Sequence, residues 1–281
     1  MMQPDQVTRL GNSTIQHGPA SDRVYLMKLD EGDMPGIVDD LINLGRSRGY
    51  SKLFVRVSAR ESSLFKARGF VPEARVAGMR KGCETGYFMS RYLDAGRERS
   101  RNAPLVSRVL DLAHSKAPEK ILEVGDLRGL ESLGPDNTEE LAALYKNVFE
   151  TYPFPIMQTD YLREIMASNV LFYGVRLGRK LIAAASAEID TDWRCAEMTD
   201  FATLRECRGQ GLAGKLLAYM ERQVRARGIR TAYTIARAES PGMNIVFSSA
   251  CYQFGGTLKN NTQIGGKLES MNVWYKQIIS R

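Results

Sequence analysis

The apolar positions of this chain change period several times, and each change marks an element. Over residues 35–48, Ile37, Val38, Leu41, Ile42 and Leu44 recur at the spacing of one helix face, and Gly49 closes that helix. Residues 24–29 and 52–57 read as strands on either side of it. A short helix over 61–68 is stopped by Gly69, and strands over 70–77 and 87–93 complete a βαβαββ unit.

From residue 94 to 135 the pattern weakens into a linker or bridging segment, with one short helix in VSRVLDLAHSK and a turn-rich SLGPDN. Asp136 and Glu139 form a capping pair that opens a helix carrying Leu141, Leu144, Tyr145, Val148 and Phe149, which Pro153 and Pro155 end. A helix over 159–167 is followed by strands over 170–177 and 180–188, joined at Gly178-Arg179. A polar strand over 196–204 precedes a helix whose apolar face is Leu212, Leu216, Leu217, Met220 and Val224. A strand over 231–238, a helix over 244–254 and strands over 257–264 and 271–278 close the chain.

Residues 35–93 and 212–279 therefore share one order, helix, strand, helix, strand, strand. Generic βαβ construction produces such echoes, but the order reads here as a degenerate duplication. The expected fold class is α/β with a mixed sheet, in three parts: a front half over 1–93, a bridge over 94–135 and a complete rear unit over 136–281. The front half would cover the rear or pair with it.

Composition narrows the chemistry. The net charge of +7 comes from dispersed Lys and Arg interleaved with acids, which argues against a nucleic-acid footprint and for a mild field that draws in anions. No run approaches the roughly 18 apolar residues of a membrane span, and the start MMQPDQVTRLGNST lacks signal-peptide halves, so a cytoplasmic protein is expected. Cys83, Cys195, Cys207 and Cys251 form no CxxC pair, and with only His17 and His114 a metal centre or Ser-His-Asp triad lacks material. No metal is expected.

The segment Arg208-Gly209-Gln210-Gly211-Leu212-Ala213-Gly214 carries the strongest chemical signal. A glycine turn at a helix start exposes N–H groups and the positive end of the helix dipole, a natural seat for a pyrophosphate. Gly209, Gly211 and Gly214 also spell GxGxxG. Against a dinucleotide fold stand the polar residues Glu197, Thr199, Asp200 and Thr203 in the preceding strand, the LRECR spacer, and the absence of an acid at the ribose position.

These residues resemble the cofactor segment R-G-x-G-[LI]-[AG] of the GNAT acetyltransferase superfamily, which Arg208 to Ala213 matches in full. The resemblance covers residues 136–281 and includes a helix with Asn near its start and Tyr eight residues on, here Asn244 and Tyr252. Two departures are visible: Gly255 follows Tyr252 after three residues where the family has four, and Glu206 replaces an upstream glutamine. EMTDFATL (197–204), GGTLKNNTQIGG (255–266), ESMNVWYK (269–276) and GYFMSRYLD (86–94) are similar to the β-lysine N-acetyltransferase subfamily, which makes the compatible solute Nε-acetyl-β-lysine.

The resemblance implies acetyl-CoA held by Phe201, Ala202, Thr203 and residues Arg208 to Gly214, with Asn244 reaching the pantetheine arm or capping its helix. It implies a small diamino acid as partner, neither nucleic acid nor membrane, and leaves a homodimer open. A lysine-type amine has a pKa near 10.4, so a base is needed. Glu197 is placed to supply it, or is a strand-surface acid. Asp200 grips an ammonium group or is structural, and lies on the face opposite Glu197 unless a bulge intervenes. Tyr252 protonates the departing thiolate or packs under its helix. Tyr152, Asn260, Asn261 and Asn272 border the acceptor side or serve as turn and strand residues. Acetylation of another small amine or a peptide amine, and acetyl-CoA sensing without turnover, are the rival readings.

Overall fold

The computed structural model describes residues 5–100, 102–118 and 129–278. Residues 119–128 and Arg101 of the expected bridge, and the extreme ends of the two outer units, lie outside them. The front half contains β1 (Gln6–Leu10), β2 (Ser13–Gly18), β3 (Arg23–Lys28), α1 (Ile37–Ser47), β4 (Lys52–Ser58), α2 (Ala59–Ala67), β5 (Val71–Arg80) and β6 (Glu84–Tyr92). A single turn, α3 (Ala95–Glu98), and the helix α4 (Ala103–Ser115) lead to β7 (Leu130–Leu133). The rear half runs α5 (Thr138–Val148), α6 (Thr159–Met166), β8 (Val170–Leu177), β9 (Lys180–Asp190), β10 (Cys195–Thr203), α7 (Leu212–Ala226), β11 (Thr231–Arg237), α8 (Pro241–Ser249), β12 (Gln253–Ile264) and β13 (Lys267–Gln277).

All thirteen strands join one mixed sheet in the order β1-β2-β3-β4-β6-β5-β12-β13-β11-β10-β9-β8-β7. The halves meet at β5 against β12, and reading outward six strands on each side follow the same succession, with β7 added at the rear edge. In each half a strand crosses through a helix to a parallel neighbour, β3 through α1 to β4 and β10 through α7 to β11. The seam is narrow: Gly256 pairs with Ala74. A Cβ on Gly256 would stand 2.2 Å from the Glu73 carbonyl, and its φ of 142° lies where side chains are rarely tolerated, so this close approach requires glycine.

Amphipathic helices explain the layering. The stripe Leu212, Leu216, Leu217, Met220 and Val224 of α7 is buried with Ala196, Met198 and Leu141 in the rear core, while α1 covers Val24, Leu26, Leu53 and Val55 in the front. A third cluster, including Phe54, Phe88, Tyr233, Met271 and Val273, mixes residues of both halves. Among the described residues no helix is long and apolar enough to cross a membrane.

Several expectations need correction. β1, β2 and β7 were not foreseen. The Asp136/Glu139 capping pair does not form: a short 3-10 turn (Pro135–Asn137) precedes α5, and the Asn137 side chain accepts from the Gly134 N–H at 2.8 Å. The helix expected to run to Phe254 ends at Ser249, because Cys251 takes a left-handed φ of 64° and turns the chain into β12.

Candidate active site

β10 and β11 hydrogen-bond only over Cys195–Glu197 and Thr231–Tyr233, then separate. The parting coincides with a bulge in β10 between Thr199 and Ala202, where Asp200 adopts a φ of 54°. In a regular strand Asp200 would face away from Glu197. The extra residue instead brings Glu197, Thr199, Asp200 and Phe201 all to the wall of one cavity of 840 Å³.

The wedge also admits Ala236 of β11 and Met243 and Phe247 of α8 to that wall. The glycine bend follows β10 in the chain and does not line this cavity. Gly209 and Gly211 take positive φ values of 79° and 73°, and Gly211 is the N-cap of α7. The first N–H groups of a helix have no intrahelical acceptor, so those of Leu212, Ala213 and Gly214 face outward with the dipole behind them. A Cβ on Gly214 would meet no protein atom within 4 Å. The space beside it suits a bulky anion. Arg208 folds back to donate from Nε to the Thr203 carbonyl at 3.2 Å, and Gln210 is exposed at the tip.

Five carboxylates line the cavity, and three of them, Glu188, Glu197 and Asp200, act on one another electrostatically. Glu188 of β9 lies directly across from Glu197 of β10 in the ladder, and both are half-buried against the cavity. Burial, with the charges of Glu197 and Asp200, pushes the Glu188 pKa up to about 8. Burial raises Glu197 to about 7, against the opposing pull of a Tyr233 hydrogen bond and the Arg56 guanidinium. Asp200 is also raised by burial, though it accepts hydrogen bonds from Ser186 Oγ and Tyr152 Oη, each at 2.5 Å. The bulge therefore brings Asp200 into contact with Tyr152, two residues expected separately on the acceptor side. Glu188 is missing from the sequence reading; its signal is an acid that closes the largely apolar run Leu181–Ala187 of β9.

The front half supplies the facing wall. Arg56 reaches across to Asp190 at 2.8 Å and to the Tyr233 hydroxyl at 3.3 Å, and Arg23, Tyr25 and Phe54 line the same cavity. Nothing in the local sequence pairs these positions with the rear.

Other expected residues fall elsewhere. Asn244 is fully buried and spends its whole hydrogen-bonding capacity on the protein. Its Nδ2 donates to the carbonyls of Arg237 and Ser240, and its Oδ1 accepts from Asn272 Nδ2 and Trp274 Nε1. It ties β11, α8 and β13 together and has no group left for a pantetheine arm, and Asn272 is part of the same tie. Asn260 donates to the Arg97 and Arg99 carbonyls, away from the cavity, whereas Asn261 lines it. Tyr252 is buried outside the cavity wall: its ring lies edge-on to Phe247 at 5.0 Å, and its hydroxyl faces Glu221, which with burial raises its pKa well above the usual value.

Comparison with known proteins identifies the family. A model of the Acetyltransferase (GNAT) family matches residues 136–243. The chain is 35% identical over 274 residues to a protein named beta-lysine N(6)-acetyltransferase from Methanococcus maripaludis, an alignment spanning 97% of this chain and 98% of that one. It is 29% identical over 266 residues to N-acetyltransferase YodP of Bacillus subtilis, across 95% and 96% of the two chains. A protein named beta-lysine N(6)-acetyltransferase from Methanosarcina mazei is 41% identical over 138 residues, 49% of this chain and 51% of that one. With 97% of its length aligned to one such enzyme, this chain belongs to the GNAT family and is an acetyltransferase.

Proposed function

We propose that this acetyltransferase moves the acetyl group of acetyl-CoA to the ε-amine of β-lysine, giving Nε-acetyl-β-lysine as a compatible solute. The observation that carries the reading is the Glu188–Glu197 pair at the end of the wedge between β10 and β11, inside a cavity walled by both halves. The bend at Gly209 to Gly214 holds the pyrophosphate, Phe201 and the β10 edge flank the arm, and the acids receive the amine. Residues 136–281 act as the catalytic unit, residues 1–93 as the wall over its acceptor side, and residues 94–135 as the bridge.

At neutral pH the incoming amine is an ammonium ion, and buried carboxylates attract it. A base whose own pKa lies near the working pH is best placed to take its proton, and the glutamate pair titrates there. The freed amine forms its C–N bond to the acetyl carbon as the C–S bond breaks; one proton stays with the glutamates and the second goes to the departing sulfur. The substrate loses one positive charge and becomes a neutral zwitterion, the charge state a solute needs to accumulate without disturbing ion balance. The front-half wall favours a small acceptor over a peptide, which requires an open groove. All four cysteines are free thiols, which suits the cytoplasm.

The test is thiol release from acetyl-CoA with β-lysine, lysine or a lysine peptide as acceptor, with the product's acetylated nitrogen assigned by NMR. Selective turnover of β-lysine at the ε-nitrogen is expected. Preference for the peptide would replace the acceptor, and no release with any amine would reduce the protein to an acetyl-CoA binder.

A further inference from the structure

The acids account for one end of the cavity, and Arg23 on β3 stands at its front-half wall. It is only 4% exposed and lines the cavity. Buried guanidinium groups normally face a carboxylate, yet among the described residues none forms an ion pair with Arg23. Its terminal nitrogens donate to the Asn261 carbonyl at 2.7 Å, Thr262 Oγ1 at 3.2 Å and Gln16 Oε1 at 3.1 Å. Its Nε has no partner. Burial lowers its pKa to about 10, so it remains charged at neutral pH, and Asp5, which acts on it from outside ion-pair distance, does not line the cavity.

Asn261 completes the picture. It is 1% exposed, lines the same cavity, and its Oδ1 is a buried acceptor without a donor. One free N–H of a charged group and a free neutral acceptor, joined through the Arg23–Asn261 hydrogen bond, complement a carboxylate with an ammonium close beside it. Tyr25 and Phe54, whose rings lie 5.2 and 5.5 Å from the Arg23 guanidinium carbon, offer an apolar surface next to it for a methylene chain.

We propose that Arg23 and Asn261 form the subsite for the acceptor's zwitterionic head group, Arg23 Nε donating to the carboxylate and Asn261 Oδ1 accepting from the neighbouring ammonium. The inference rests on the small-amino-acid reading above and gives the front half a defined task, selection of amino acids over simple polyamines. Leaving such buried groups unpaired is costly, so a ligand that satisfies them is strongly preferred over one that cannot.

Calorimetric titration of the wild type compares β-lysine with 1,4-diaminopentane, which is β-lysine without its carboxylate. β-Lysine is expected to bind roughly 30- to 100-fold more tightly, the scale of a charge-assisted hydrogen bond. Arg23→Gln is expected to raise the KM for β-lysine by the same factor, leaving kcat and the KM values for acetyl-CoA and the diamine within about threefold. Equal wild-type affinity for the two compounds, or an Arg23→Gln defect shared equally by both, overturns the subsite. Should that variant not fold, the wild-type comparison decides alone. If the wild type binds β-lysine selectively but releases no thiol, the subsite stands and the acetylation reading fails.

Discussion

Replacing Glu197 with glutamine keeps the shape of the wedge and removes one of the two carboxylates able to take the amine's proton. An amine of pKa near 10.4 is unprotonated to only about four parts in ten thousand at pH 7, so a site that must wait for spontaneous ionisation loses up to roughly 2,500-fold in kcat/KM. Glu188 remains across the ladder, and without the neighbouring charge its pKa falls from about 8. It recovers part of the function, which leaves an expected loss of roughly 100- to 1,000-fold, within the usual range for a general base. The Glu188→Gln/Glu197→Gln pair should lose the full factor. Because free amine increases tenfold per pH unit, the double variant's deficit should shrink to about 25-fold by pH 9. Stopped assays of thiol release from pH 6.5 to 9.5, with acetyl-CoA affinity measured separately, check this. A wild-type rate in Glu197→Gln, or a double-variant deficit that does not change with pH, would refute the base assignment.

Gly214→Ala should separate stability from binding. The new methyl meets no protein atom and favours the helix by roughly 0.5–1 kcal/mol, so the melting temperature should rise while the KM for acetyl-CoA increases at least tenfold. Tyr252→Phe should leave kcat within about twofold, since its hydroxyl faces Glu221 outside the cavity wall; a thousandfold loss in kcat would restore its role as the acid. The folded pKa values of Glu188 and Glu197 lie above the ordinary carboxylate range, so the folded state keeps protons that the unfolded chain has released. Stability from these groups is fully present below about pH 4.5 and lost as pH rises through about 7 to 8. Ligand-free protein should melt lower at pH 9 than at pH 6, and Glu188→Gln should flatten that slope.

The elements most legible in the sequence are those whose apolar period is long and whose ends carry glycine, such as α1 and α7. β2 went unread because its run, STIQHG, offers a single aliphatic residue, Ile15, and its remaining buried positions are Ser13, Gln16 and Gly18. Its burial comes from being covered by neighbours, not from its own pattern. The glycine bend was legible because its residues are consecutive and the geometry of a helix start is local. The acid cluster was only half readable: Glu197 and Asp200 sit on the segment that carries the motif, whereas Glu188 depends on the register of β9 against β10, and Arg56 on the meeting of two halves. Asn244 misled for a related reason. Its position relative to the motif fits a cofactor contact, but whether an amide is free depends on Arg237, Ser240, Asn272 and Trp274, which surround it in space.

The seam at Gly256 has a further consequence. In an isologous assembly of identical subunits, any substitution on one side of the axis is copied to the other, so a mutation that improves a lid also alters the active centre it covers. Covalent tandem linkage removes that constraint. Substitutions at Arg23 and at its topological counterpart in β10 are then independent, and under the proposed subsite this would let the front half be tuned to the acceptor without altering the rear half.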